Sequence, residues 1–323
     1  MENHMKLDRW DVIIIGAGPA GLSAAVYAKR AALTALVIEQ NPISGGQILN
    51  TYEVDNYLGL PGSGGLEMAE AFRKHADDVG CTFTEAEVTA ITSHSEDDND
   101  KNNEKTTLFT VKTDMGDITT RTVIIAAGAS YARLGVHGEE LLAGMGVSYC
   151  AICDGAFFRK RIVAVVGGGD VAVEDAIFLA RGCAKVYLIH RRDELRAAAS
   201  LGEALLRLEN VEVLWDTVVE SINGEDCVES LTVKNLKSGE SSPLAVNGVF
   251  IAVGFVPNST PFRDFVACDE KGHIIAAEDC ATSVPGIFAA GDIRTKGLRQ
   301  IVTAVADGAV AVTGITTLLA RQV

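Results

Sequence analysis

The sequence predicts an α/β protein built from two similar strand–turn–helix halves, and three observations carry that prediction. Glycine supplies 32 of the 323 residues, against 7 prolines and 6% aromatics, a balance that suits many tight turns between strands and helices. The chain repeats itself at an offset of 151 residues. Each copy runs from a short apolar stretch through Gly-x-Gly-x-x-Gly/Ala into an alanine-rich helical stretch.

The first copy reads Ile13-Ile14-Ile15 and then Gly16, Ala17, Gly18, Pro19, Ala20 and Gly21. The second reads Ala164-Val165-Val166 and then Gly167, Gly168, Gly169, Asp170, Val171 and Ala172. A further strand follows in each, at Leu36-Val37-Ile38 and at Tyr187-Leu188-Ile189, again 151 residues apart. One such turn is weak in a glycine-rich chain. Two, each between a strand and a helix, predict two Rossmann-like dinucleotide-binding domains. The first glycine permits the turn, the second lets backbone approach a pyrophosphate, and the third position lets helix and strand pack closely. The free N–H groups of the helix N-terminus then face the phosphates.

The copies diverge at the end of the second strand. The first has Glu39, a carboxylate able to accept hydrogen bonds from an adenosine ribose. The second has His190, then Arg191, Arg192 and, one helical turn later, Arg196. Clustered guanidiniums grip a 2′-phosphate that a carboxylate would repel, so the first site suits FAD or NAD and the second NADP. A solvated basic helix start is the plainer alternative.

Each half also holds a strand ending in small residues, Val123 to Gly128 and Val249 to Gly254, as suits a chain crossing between domains. The expected organisation is an FAD-binding domain of residues 1–131 and 257–323, interrupted by an NADPH-binding domain of residues 132–256. This length allows each domain its own core.

Between the glycine turns lies Cys150-Ala151-Ile152-Cys153-Asp154. Thiols two residues apart can close a small disulfide, and such pairs often hold a thiolate of lowered pKa. Half a zinc site is the competing reading, but no second such pair accompanies it and no metal is expected. Asp154 could deliver or remove the proton that thiol–disulfide exchange requires; a surface turn aspartate is the alternative. Cys81, Cys183, Cys227, Cys268 and Cys280 are scattered and read as structural.

A formal net charge of −15 disfavours nucleic acid and anionic membranes as partners. No leader pattern is recognised near the start. The apolar stretch Ile301–Leu319 contains Asp307, Gly308 and threonines, so a buried helix is expected there rather than a membrane span, and the expected compartment is the cytoplasm. The polar, acidic residues 93–106 read as a solvated loop.

From end to end the sequence resembles the bacterial-type thioredoxin reductases. The matching motifs are Gly16 to Gly21, Gly45-Gly46-Gln47, Val54-Asp55-Asn56-Tyr57, Cys150 to Gly155, Gly167 to Ala176, His190-Arg191-Arg192, Gly286 to Asp292 and Arg299-Gln300-Ile301. The resemblance implies that Gly46, Gln47, Asn56 and Gly128 contact the flavin. It implies that Asp292, after Gly291, hydrogen-bonds the ribityl chain, and that Arg299, Gln300 and Ile301 lie along the isoalloxazine at the start of the last helix.

The resemblance also implies the reaction. NADPH reduces FAD, which reduces the Cys150–Cys153 disulfide through Cys153; Cys150 attacks the disulfide of thioredoxin or a thioredoxin-like protein. Cys153 then resolves the mixed disulfide while Asp154 moves the proton. A homodimer and a rotation of the NADPH domain about 129–133 and 254–258 are expected on the same ground. Ala156 stands where an aromatic is common, and the acidic insertion is longer than typical, which leaves partner specificity open. A flavin dithiol oxidase, a ferredoxin-fed reductase and a flavin redox sensor are the rival readings.

Overall fold

The computed structural model describes residues 9–50, 54, 56–97 and 105–320. Its contacts divide the chain into two compact units, one of residues 1–49, 53–130 and 256–323, the other of residues 50–52 and 131–255. Among the described residues the α-helices are α1 (Pro19–Arg30), α2 (Gly65–Asp78), α3 (Ala151–Asp154), α4 (Asp170–Ala180), α5 (Ala199–Leu206) and α6 (Ile301–Ala320).

The first unit is built on β1 (Trp10–Ile15), β2 (Ala35–Glu39), β3 (Thr82–Glu85), β4 (Val88–Asp97), β5 (Lys105–Thr113) and β6 (Gly116–Ile125). The order is β3-β2-β1-β6, all parallel, with the short strand Ile287–Ala289 parallel to β6 on its far side. Val12 to Ile14 and Val123 to Ile125 are fully buried, as expected of strands covered on both faces.

One face of α6 is buried, through Ala304, Asp307, Gly308, Ala311, Val312, Ile315 and Leu319. The helix is long and apolar enough to cross a membrane by length and composition. Yet Gly308 lies against α1, where an added Cβ would meet Ala20 O at 2.2 Å, and Val302 and Val310 face outward. It is a core-facing helix with one buried stripe, not one buried all round.

The expected loop at 93–106 is corrected. β4 and β5 form an antiparallel ribbon in which residues 93–97 and 105–106 are paired, from Ser93 opposite Phe109 to Asp97 opposite Lys105. Exposed polar side chains on a two-stranded ribbon look like a loop in composition, because the partner strand satisfies the backbone without any apolar face. Residues 98–104 lie outside the described residues.

The second unit repeats the plan. Its parallel sheet runs Val211–Leu214, Lys185–Ile189, Ile162–Gly167, Gly248–Ala252 and Val147–Ser148. A three-stranded antiparallel sheet of Thr217–Asn223, Ser230–Asn235 and Ser241–Ala245 takes the place that the β4–β5 ribbon has in the first unit. Both units are therefore Rossmann-like. The chain passes from one unit to the other within the short strands Ala129–Tyr131 and Phe255–Pro257.

Candidate functional site

In the first unit the turn between β1 and α1 leaves no room for side chains. Gly16 has φ +102°, and a Cβ there would sit 2.5 Å from Ala126 O; a Cβ on Gly21 would sit 1.8 Å from Gly16 O. Gly18 precedes α1, whose first turn has Pro19, no acidic residue and no side-chain cap, so its N–H groups remain for an anion. Gly45 N donates to Ala17 O at 2.8 Å, bringing Gly45 and Gly46 beside the turn. Glu39 braces it: one oxygen accepts from Ala17 N at 2.7 Å, the other from Asn41 N and Nδ2 at 3.0 Å.

The other residues expected around a flavin lie in the same unit. Gln47 donates to Ala129 O, next to Gly128, whose φ is +64°. Asn56 Nδ2 donates to Gln300 Oε1 at 2.9 Å, joining two segments far apart in sequence. Gln300 O accepts from Ala304 N at 3.0 Å, so Arg299 and Gln300 directly precede Ile301 and α6. Gly291 sits where an added Cβ would meet Ala20 Cβ at 3.0 Å, which puts Asp292 near the start of α1.

Two atoms here lack partners: Asp292 Oδ1 and Arg299 Nε are buried without a hydrogen bond. Burial pushes the Asp292 carboxyl up, while Lys296 and Arg299 oppose the rise. An enclosed carboxylate oxygen without a donor is costly unless a ligand supplies one. A glycine cradle, a helix N-terminus and an orphaned acid together fit a dinucleotide with a polyhydroxyl chain.

A neighbouring network escaped the sequence reading. Asp307, on α6, accepts from Arg294 Nη2 at 2.7 Å, Arg294 Nε at 2.9 Å, Lys296 Nζ at 2.8 Å and Gly291 N at 2.9 Å. Burial alone would raise its pKa; the bonds from Arg294, Lys296 and Gly291 outweigh that and hold it below the ordinary range. Its one signal in the sequence is an acid inside an otherwise apolar helix.

In the second unit Gly167 and Gly168 make the turn. A Cβ on Gly167 would meet Ala252 O at 2.4 Å, and one on Gly168 would meet His190 Nδ1 at 2.1 Å, whereas Gly169 faces open space. His190 lies under this turn. Its ring is buried beneath Gly168, 6.3 Å from Trp215, with Nε2 2.9 Å from Glu194 O. It supports the turn from below.

The expected helical turn from Arg192 to Arg196 is also corrected: residues 191–198 are a loop, and α5 begins at Ala199. Arg196 N donates to Gly168 O at 2.7 Å, and Asp170 Oδ1 accepts from Ala198 N at 2.8 Å, so this loop closes against the start of α4. Those tertiary bonds override the local helical option. Val171 is half-exposed and Ala172 buried. The side chains of Arg191, Arg192 and Arg196 are exposed, and among the described residues none is paired with a carboxylate.

The same unit holds Cys150, which is disulfide-bonded. The backbone of α3 is described, but the Cys153 side chain lies outside the described residues. Cys150 N donates to Ser148 Oγ at 3.1 Å, and Cys150 O accepts from Asp154 N at 3.2 Å. Asp154 is half-buried, and Phe157, beyond it, is 77% exposed. Tyr149 donates to the buried Glu139 at 2.7 Å and stacks on Tyr131; burial and Glu139 push its phenol up to about 12. Cys81, Cys183, Cys227, Cys268 and Cys280 are free thiols.

The profile of the pyridine nucleotide-disulphide oxidoreductases matches residues 10–308. The thioredoxin reductase of Bacillus subtilis is 44% identical over 303 residues, covering 94% of this chain and 92% of that protein. Among solved structures, the thioredoxin reductase of Lactococcus lactis has a TM-score of 0.83 at 39% identity, covering 97% of this chain and 99% of that one. The T. acidophilum thioredoxin reductase has a TM-score of 0.80 at 31% identity, with 96% and 99% covered. Two glycine turns with different second-strand ends, and a disulfide-bonded cysteine in the unit of the second, are thus matched along nearly the whole length, and the chain belongs to the pyridine nucleotide-disulphide oxidoreductase family.

Proposed function

We propose that this chain reduces the disulfide of thioredoxin at the expense of NADPH, through FAD and the Cys150–Cys153 pair. The observation that carries the reading is the unpaired trio Arg191, Arg192 and Arg196 at the second glycine turn, in the same unit as the disulfide-bonded Cys150. In a chain of net charge −15, three exposed guanidiniums left without carboxylates favour a bound phosphate.

On this reading, residues 1–131 and 257–323 hold FAD and residues 132–256 hold NADPH. The flavin nucleotide would rest on Gly16, Gly18, Pro19, Ala20, Gly21 and Glu39, with Gly46, Gln47, Asn56 and Gly128 nearer the ring. Asp292 Oδ1 would accept a hydrogen bond from the ribityl chain, and Arg299, Gln300 and Ile301 would set the helix N-terminus towards the ring. NADPH would rest on Gly167, Gly168, Gly169 and the start of α4, with the 2′-phosphate on the arginines. Bound FAD supplies the relay of an electron pair from nicotinamide to a disulfide.

The chain's own chemistry is thiol exchange. The Cys150 thiolate attacks the partner disulfide, forming a mixed disulfide and releasing one partner thiolate. Cys153 attacks Cys150 Sγ and expels the second, so the partner gains two electrons and the pair returns to its oxidised form. Asp154, at the end of α3, would transfer the proton at the departing sulfur. A homodimer in the cytoplasm, without nucleic-acid or membrane partners, accords with the family resemblance and the net charge.

Anaerobic titration tests the reading. Bleaching of bound flavin should take about two NADPH per subunit, one electron pair for each redox centre, and proceed far more slowly with NADH. Bleaching only by a dithiol or reduced ferredoxin would reject NADPH as donor and favour a dithiol oxidase or a ferredoxin-fed enzyme.

A further inference from the structure

We propose that Asp307 is a positioning residue for the flavin: it clamps the turn Gly291–Lys296 and occupies both of its cations, leaving Asp292 free for the cofactor. The inference rests on the FAD assignment above. The stretch from Gly291 to Lys296 carries one acid, Asp292, and two cations, Arg294 and Lys296. Lys296 stands four residues from Asp292 and would be a natural partner for it.

It goes elsewhere. Arg294 and Lys296 both bond to Asp307, at side-chain exposures of 3%, 5% and 8% for the three groups. The Asp307 carboxylate takes four bonds, one from Gly291 N itself. The rest of Arg294 is consumed by carbonyls: its Nη1 donates to Thr295 O at 3.0 Å and Ala277 O at 3.3 Å. With both cations taken, Asp292 Oδ1 is left enclosed and unpartnered.

One carboxylate thus does two things at once. It fixes the positive-φ turn at Gly291, φ +81°, against α6, and it prevents the neighbouring acid from being quenched within its own loop. Without the Asp307 charge, the buried Lys296 would turn to Asp292, the carboxylate in its own turn that it already influences. The donor that Asp292 awaits would then be displaced.

Release of FAD from diluted holoenzyme, followed by flavin fluorescence, tests this. Asp307→Asn should speed release by about tenfold or more, the scale of one lost hydrogen bond to a charged group. In an Asp292→Asn background the same substitution should add less than about twofold, because its effect runs through Asp292. Asp307→Glu, which retains the charge and so the fold, displaces the four bonds and should show a smaller acceleration with the same dependence on Asp292. Equal acceleration in both backgrounds, or none in either, would overturn the proposal. Parent protein that neither carries nor takes up FAD would instead overturn the cofactor assignment.

Discussion

Replacing Arg191 and Arg192 together by alanine isolates the phosphate grip from everything else at the second glycine turn. Both side chains are exposed and unpaired, so their loss leaves no buried charge behind and should change thermal stability little. The backbone bonds that shape the loop, Arg196 N to Gly168 O and Asp216 N to Arg192 O, do not depend on those side chains. A charge-assisted hydrogen bond contributes about 1.5–3 kcal/mol, and solvent exposure argues for the lower end. Two such bonds amount to about 3 kcal/mol, or about a hundredfold in kcat/KM for NADPH. NADH, which lacks the 2′-phosphate, should lose less than about threefold from the same substitutions. Steady-state kinetics with both nucleotides, using thioredoxin as acceptor at two salt concentrations, measures this. The NADPH advantage should shrink with salt in the parent and not in the variant. Equal losses for both nucleotides would mean that the arginines shape the loop rather than read the phosphate, and the reasoning from unpaired charge would fail.

Three further outcomes follow from the geometry. Gly308→Ala places a methyl 2.2 Å from Ala20 O and 2.8 Å from Ala24 N, backbone that cannot yield; α1 and α6 must part, at about 1–3 kcal/mol or more, and calorimetry should show a Tm lowered by several degrees, with loss of flavin retention. Asp175, on α4, has its carboxyl pushed up to about 7 by burial and by Glu174. A raised carboxyl pKa costs stability once pH exceeds the unfolded value near 4, and the cost grows until the folded value near 7 is passed. Asp175→Asn should therefore stabilise against urea by about 1–3 kcal/mol at pH 8 and not at pH 4; equal effects at both would discard the titration argument. Cys280 is fully buried and its thiol is raised to about 12, whereas Cys227 is exposed. Native protein in alkylating reagent at pH 8 should label Cys227 and leave Cys280 until unfolding, as mass spectrometry would show.

How much of this was legible beforehand varies by residue. The two glycine turns were, because their requirement is local: Gly16 and Gly21 must lack a Cβ to sit against Ala126 O and Gly16 O, and that need is written at fixed spacing. The motifs around Gln47, Asn56 and Asp292 fall in one unit, but the bond between Asn56 and Gln300, 244 residues apart, is written nowhere in them. His190 read as one more basic residue in a cluster. Its burial under Gly168 depends on how the strand end meets the turn. The polar stretch at 93–106 showed no periodicity, and only the register of β4 against β5 makes its described part strand.

The sequence by itself determined the doubled Rossmann-like fold and the split between an acid-ended and an arginine-rich second strand, since each is encoded by residues within one strand–turn–helix unit. Only the tertiary structure decided which charges are available. Asp307 captures Arg294 and Lys296 from 13 and 11 residues away, Gly168 O holds Arg196 N while its guanidinium stays free, and Asp292 is left waiting. Whether a charge is paired depends on distance through space, and in a low-dielectric interior a few ångströms separate a neutralised group from one that can bind.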